Sequence, residues 1–301
     1  MNFFWQEVIN GLFVGAFYAL VALGYSMVYG IIRLINFAHG DLYMVGSFLG
    51  FSTLSLLLGR GVGAVTGLAL AFVVAMVAVG LLGTGVEKIA YKPLRQAPIL
   101  SLLISALGMS LILENTVLVI PAWGPQFLVY PFNLPTTGFT LAGATVTYMQ
   151  VLIFVLCLLL MAGLQTFVQK SIFGKAMRAI ALDKDAAQLM GINVNQMVSM
   201  TFLLGAGLAG AAGVMAGLYY KEINFMMGFE MGLKAFTAAV IGGIGNIPGT
   251  VLGGFVLGVL EALGSGYLGS QWQNVFAFAI LIVLLVFKPT GLIGEKIGGR
   301  M

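Results

Sequence analysis

The chain has 301 residues, of which 60% are hydrophobic and 8% charged, with 42 glycines and a formal net charge of +4. A composition this apolar excludes an ordinary soluble domain and predicts an all-α integral membrane protein, read here as one polytopic domain over residues 1–301. The basic excess does not point to nucleic acid, because Lys and Arg sit at the ends of hydrophobic runs, where they set orientation.

A helix needs about 20 mostly apolar residues to cross hydrocarbon. Charge-free runs at residues 8–32, 42–59, 61–86, 96–113, 147–169, 186–220, 235–260 and 262–287 predict about eight membrane segments, some short or broken. No basic residue precedes the first run and no small-residue cleavage site is evident before Arg33, so it reads as a retained helix rather than a secretion signal. It ends in a polar interruption, residues 30–48, that holds Arg33, Asn36, His39 and Asp41. Residues 121–147 are rich in Pro, Gly and Thr, cannot form one helix, and are expected to be an extracytoplasmic loop with room for a small hairpin. Cys157 lies alone in an apolar run, where it packs and offers neither a disulfide nor a metal site.

Three basic clusters are expected on the cytoplasmic side: Lys88, Lys92 and Arg95; Lys170, Lys175, Arg178 and Lys184; and Lys288, Lys296 and Arg300. The amino terminus is then outside, and an odd number of crossings must separate Lys221 from Lys288. The run from 235 to 260 is interrupted by GGIGNIPG, in which Gly242, Gly243, Gly245, Pro248 and Gly249 are helix-breaking positions. This predicts two half-helices meeting at a turn within the membrane, then one full span over 273–287. The interruptions near Asn36 and Asn224 share Ile-Asn-Phe followed by an acid, Asp41 in one and Glu230 in the other, which raises the possibility of an inverted repeat. Small residues three or four apart over 205–217 and 249–258 predict close helix packing.

The longest polar island, KSIFGKAMRAIALDKDAAQLMGINVNQ at residues 170–196, is expected to be a cytoplasmic coupling segment. Asp183 caps a helix of about two turns, Asp185 adds negative charge to its first turn and Gly191 stops it. Ala186, Leu189 and Met190 form the predicted apolar face, with Lys184, Ala187 and Gln188 directed elsewhere. Such a helix docks in a partner's groove or lies in the lipid interface, and the residues alone leave both open.

There is no phosphate-binding loop, since the nearest approach, residues 242–250, has no lysine. One His and no metal-ligand spacing leave no basis for an enzyme, a metal or a cofactor. The runs GAFYALVALGYSMVYGIIRLINFAHGDLYMVG, ISALGMSLILEN, RAIALDKDAAQLMGIN and MGLKAFTAAVIGGIGNIPG, in that order and spread along nearly the whole chain, resemble the bacterial branched-chain amino acid ABC transporter permeases, the first of their two permease subunits. The resemblance implies a multi-pass bacterial inner-membrane protein, paired with a second related permease and served by two cytoplasmic ATPase subunits and a periplasmic binding protein. It further implies that Arg178, Ala179, Asp183, Ala186, Ala187, Gly191 and Ile192 contact the ATPase, and that leucine, isoleucine or valine is carried.

Polar groups at membrane depth usually face the bundle interior or a watery cavity, which nominates Asn36, His39, Asp41, Glu114, Asn115, Asn246 and Glu261 for the translocation path. Each has a plainer role open to it: Asp41 as a helix cap, His39 bonded to a carbonyl at the break, Glu114, Asn115 and Glu261 at headgroup level. The functional alternative is a self-sufficient ion-coupled carrier or channel for small amino acids, amides or urea, with Asp41, Glu114 or Glu261 binding the ion.

Overall fold

Backbone amides in hydrocarbon have no water to bond, so the chain satisfies them in long helices. The computed structural model describes residues 2–132, 137–141 and 143–293. Its helices are α1 (Asn2–Ile32), α2 (His39–Gly59), α3 (Ala64–Val86), α4 (Ile99–Val119), α5 (Tyr148–Lys170), α6 (Ile172–Leu182), α7 (Lys184–Leu189), α8 (Val194–Tyr220), α9 (Met227–Gly242), α10 (Ile247–Leu268) and α11 (Gln273–Phe287). Eight helices among the described residues are long and apolar enough to cross a membrane; α9, with 16 residues, is not one of them. Four short strands occur among the described residues. β1 (Leu128–Val129) pairs with β4 (Glu222–Ile223), and β2 (Gly138–Leu141) pairs with β3 (Ala144–Thr147), both antiparallel.

The centre of the bundle is α1, whose residues from Ala16 to Leu23 are at most 2% exposed. Its two ends mark the two ends of the molecule. Near its start Gln6 bonds to both the N–H and the carbonyl of Thr145 in the β2–β3 hairpin. Near its finish Met27, Gly30 and Ile31 share a cavity of about 90 Å³ with Met177 and Arg178 of α6. Beside α1 runs α10 in the opposite direction, with Gly15 against Gly254 and Gly11 against Gly258. The pair approaches so closely because no Cβ stands between the backbones; one on Gly15 would lie 2.8 Å from the Gly254 carbonyl oxygen.

α8 packs along α3 much as α1 packs along α10, and α2 crosses α9 at the middle of the bundle, where Gly40 lies against Gly228 and Gly232. The two three-helix units, α1–α2–α3 and α8–α9–α10, run in opposite senses. Their joints match in detail. Arg33 and Lys221 are the two non-glycine residues with positive φ among those described, at 52° and 62°. Three residues after each comes an Asn whose side-chain oxygen accepts from the backbone N–H two positions on: Asn36 from Ala38 at 3.1 Å, Asn224 from Met226 at 2.9 Å. The same Asn backbone carbonyls accept from His39 and Met227. Two units of opposite sense with breaks of the same local design have the arrangement of an inverted repeat.

One expectation is corrected. The GGIGNIPG segment does not join two half-helices inside the membrane. Gly242 closes α9, Gly243 and Gly245 form the turn with φ of 106° and 94°, and Pro248 and Gly249 lie in the first turn of α10. The Asn246 side chain caps α10 through the Gly249 N–H, and α10 then continues unbroken for 22 residues. The turn sits at the island end, where Gly245 and Ile247 border the cavity shared with Met177 and Arg178. Glycine broke the helix only where a cap and a proline restarted it; the glycines inside α10 stay helical because neighbouring helices press on them. The last described residues fold back, with the N–H groups of Leu292 and Ile293 donating to the carbonyls of Ile241 and Gly242. Lys296 and Arg300 lie outside the described residues.

Candidate functional site

The first break brings three of the nominated polar residues together. After α1 the chain turns at Arg33 and runs back into the bundle, so α2 starts inside it rather than at a surface. Asn36, His39 and Asp41 are each at most 2% exposed. The His39 ring donates through Nε2 to the carbonyl of Val21, 3.2 Å away, and stands edge-on to the Tyr25 ring. That carbonyl is eleven residues before the end of α1, which fixes how far the break reaches inward. Asp41 accepts from the Ser110 hydroxyl of α4, and its second oxygen has no partner among the described residues. Asn36 accepts from the Tyr91 hydroxyl at 2.8 Å. A buried carboxylate half-satisfied at the crossing of two helices is costly to keep, and such a group in a membrane protein is a functional candidate by default.

The other nominees are elsewhere. Glu261 of α10 forms a buried ion pair with Lys234 of α9, with Nζ and Oε1 2.5 Å apart, and the Lys234 ammonium stands 5.9 Å from the centre of the Tyr18 ring. Two charges in low dielectric hold each other; removing either leaves the other uncompensated. Asn246 caps α10 at the island end and donates to the Ile293 carbonyl. Asn115 bonds back to Leu111 within α4 on an exposed face, and Glu114 beside it is half-buried. Of the three acids that the ion-coupled alternative would use, Glu261 is already paired with Lys234, whereas Asp41 has only the Ser110 hydroxyl as partner among the described residues and Glu114 is half-buried on α4.

The island forms α6 and α7. Ser171 caps α6 through the Gly174 N–H, and Asp183 caps α7 by accepting from Asp185 and Ala186, both at 3.0 Å. Gly191 has φ of 83° and ends the unit. The predicted apolar face is corrected: Ala187 is the buried residue, while Leu189 and Met190 are 89% and 83% exposed. With only six residues, α7 is oriented by its neighbours rather than by its own pattern. Ala187 joins the core on the side of α8, and its carbonyl accepts from the Ile192 N–H that follows Gly191. Arg178 folds back to donate to the carbonyls of Val168 and Gln169 at the end of α5, where a cation complements the helix terminus. Ala179 and Ile192 are half-buried, and Ala186 is exposed.

Sequence reasoning missed the partners. Lys234 carried a readable signal, since a lone Lys inside an apolar stretch calls for an acid at the same depth. Ser110 and Tyr91 gave none, because their partners lie 69 and 55 positions off in the chain, and the Glu87–Arg95 pair, eight residues apart, was passed over.

A buried polar joint inside a gly-rich inverted repeat, with a capped polar island at one end, defines a polytopic transport protein. Residues 7–285 match the family model described as the branched-chain amino acid transport system / permease component. The chain is 45% identical over 96% of its length, and 95% of the relative's, to the high-affinity branched-chain amino acid transport system permease protein BraD of Pseudomonas aeruginosa. It is 43% identical to the corresponding protein LivH of Escherichia coli strain K12, covering 97% and 96% of the two chains. A probable branched-chain amino acid transport permease protein LivH of Methanocaldococcus jannaschii is 31% identical over 91% and 88%. The chain belongs to this permease family.

Proposed function

We propose that the chain is a permease subunit of an inner-membrane ABC importer for leucine, isoleucine and valine, with ATP hydrolysed by partner subunits. In this reading a second, related permease completes the path, two cytoplasmic ATPases bind the island, and a periplasmic protein delivers the amino acid at the hairpin end. The protein itself performs no catalysis. The observation that carries the coupling role is the island's surface: Leu182, Leu189 and Met190 are all more than four-fifths exposed, on helices held in place by Ser171 and Asp183. Apolar side chains on a well-capped scaffold, next to exposed Lys184 and Asp185, fit a protein groove. The crossing of α2 and α9 at Gly40, with Asn36, His39 and Asp41 behind it, is the proposed gate. An ATPase-driven shift of the island then alternates access at that crossing.

The test uses cells expressing the whole transport operon. Changing Leu189 and Met190 together to Asp leaves the buried Ala187 alone. Leucine uptake is expected to be lost, with normal membrane levels of the chain and loss of ATPase co-purification. Uptake that persists without any ATPase subunit rules the reading out.

A further inference from the structure

The island and the proposed gate are joined by side chains that neither role uses. Between α3 and α4 the chain makes a π-helical turn, Glu87–Tyr91, and turns of this kind are rare and cluster at functional positions. Glu87 is fully buried and its two oxygens reach different elements. One is paired with the Arg95 guanidinium; the other accepts from the Ser199 hydroxyl at 2.7 Å. The second arm of Arg95 donates to the Asn195 side chain at 2.5 Å. Asn195 and Ser199 both belong to the first turns of α8, which begins within the last residues of the island, after the Asn193 cap. One turn beyond Glu87, Tyr91 packs against Phe202 of α8, ring centres 5.4 Å apart, and its hydroxyl donates to Asn36. Asn36 in turn holds the Ala38 N–H, and so sets where α2 starts.

We infer that Glu87, Arg95 and Tyr91 are positioning residues that transmit movement of the island to the α1–α2 break; the inference rests on the importer reading above. Movement of the island moves the start of α8. The fork of Arg95 and the two-sided Glu87 carboxylate force the π-turn to follow, because releasing either strands a buried charge in low dielectric. Tyr91 then draws on Asn36. Arg is required for this: its planar fork reaches Glu87 and Asn195 together, which a Lys point charge does not. In the second repeat no described side-chain bond links Asn224 to α10 or α11, so the linkage serves one break only.

The experiment reconstitutes the complete importer in liposomes and measures leucine taken up per ATP hydrolysed. The Tyr91→Phe variant loses one oxygen atom, and Arg95→Lys keeps the charge but loses the fork. Both are expected to assemble with normal ATPase content and to hydrolyse ATP within about twofold of wild type, while uptake per ATP falls about tenfold, a usual size for coupling between sites. Ser105→Ala removes a bond to the Ala90 carbonyl in the same turn, off the proposed route, and is expected to leave the ratio unchanged. Equal coupling in wild type, Tyr91→Phe and Arg95→Lys overturns the inference while leaving the importer intact. So does an equal fall in Ser105→Ala, or failure of both linkage variants to assemble, since each reduces the turn to a structural part. A wild-type complex that takes up leucine without ATP instead removes the parent reading.

Discussion

The breaks at Asn36 and Asn224 share one backbone design and have opposite surroundings. In each, a long helix ends on a left-handed basic residue, an Asn three positions later folds its side chain onto the backbone, and a new helix starts three residues on. Around Asn36 the joint is sealed: His39 and Asp41 are buried and bonded to α1 and α4, and buried Tyr91 of the α3–α4 turn donates to Asn36. Around Asn224 it is open, with Met226 58% and Phe229 56% exposed and Glu222–Ile223 paired only to the short strand β1. Backbone geometry is therefore repeated while the side-chain environment is not. Two halves with matching hinges but unequal bonding can answer unequally to one applied movement.

The largest expected effect lies where the two joints touch. A Cβ on Gly40 would run into the carbonyl oxygen of Gly228 and lie 2.6 Å from Gly232 Cα. Backbone atoms of a packed helix do not yield, so Gly40→Ala is expected to cost about 3 kcal/mol and to abolish uptake. At Gly228 an added Cβ meets the Asp41 carboxylate oxygen at 2.9 Å and backbone atoms at 3.0 Å, a milder conflict. Gly228→Ala is expected to cost about 1 kcal/mol. Thermal unfolding of the purified chain in detergent ranks the two. Equal losses would show that the crossing is more symmetric than the surroundings of the joints imply.

At the next level, the Asn side chains themselves separate the joints. Asn36→Ala removes an acceptor from the buried Tyr91 hydroxyl as well as the local turn, and is expected to cost about 2–3 kcal/mol. Asn224→Ala removes only the turn at a half-exposed site, with a loss of about 0.5–1 kcal/mol. Comparable losses at the two sites would mean that the Tyr91 bond contributes nothing measurable.

The sequence carried the shared part of this comparison and not the unequal part. Two Ile-Asn-Phe segments, each followed by an acid, are visible in the chain because local backbone turns depend on neighbouring residue types. So are the cap at Asp183 and the stop at Gly191, whereas Asn246, nominated for the translocation path, turned out to be a helix cap. The Tyr91–Asn36 and Ser110–Asp41 bonds join residues 55 and 69 positions apart, and no periodicity records such pairings. The turn at GGIGNIPG was located by its glycines but misplaced in depth. Depth depends on how far the Asn246-capped α10 runs against α1, a packing outcome. The orientation of Leu189 and Met190 failed for the same reason, since six residues of helix take their facing from what they land on.

The smallest expected effect tests the part that is shared. A non-glycine residue pays for a left-handed conformation with steric contact between Cβ and backbone, which Gly avoids at the cost of a more flexible unfolded chain. Arg33 and Lys221 are exposed, and neither side chain has a hydrogen bond or ion pair among those described. Relief of strain is then expected to exceed the entropy term at both sites, so that Arg33→Gly and Lys221→Gly each stabilise by about 0.5 kcal/mol. Equal small rises in unfolding midpoint would establish that the two hinges are strained alike. A fall at one site alone would mean that its basic side chain does more than end a helix. Comparing each glycine variant with Arg33→Ala and Lys221→Ala separates the two causes: loss of charge acts in both substitutions, whereas relief of strain belongs to glycine only.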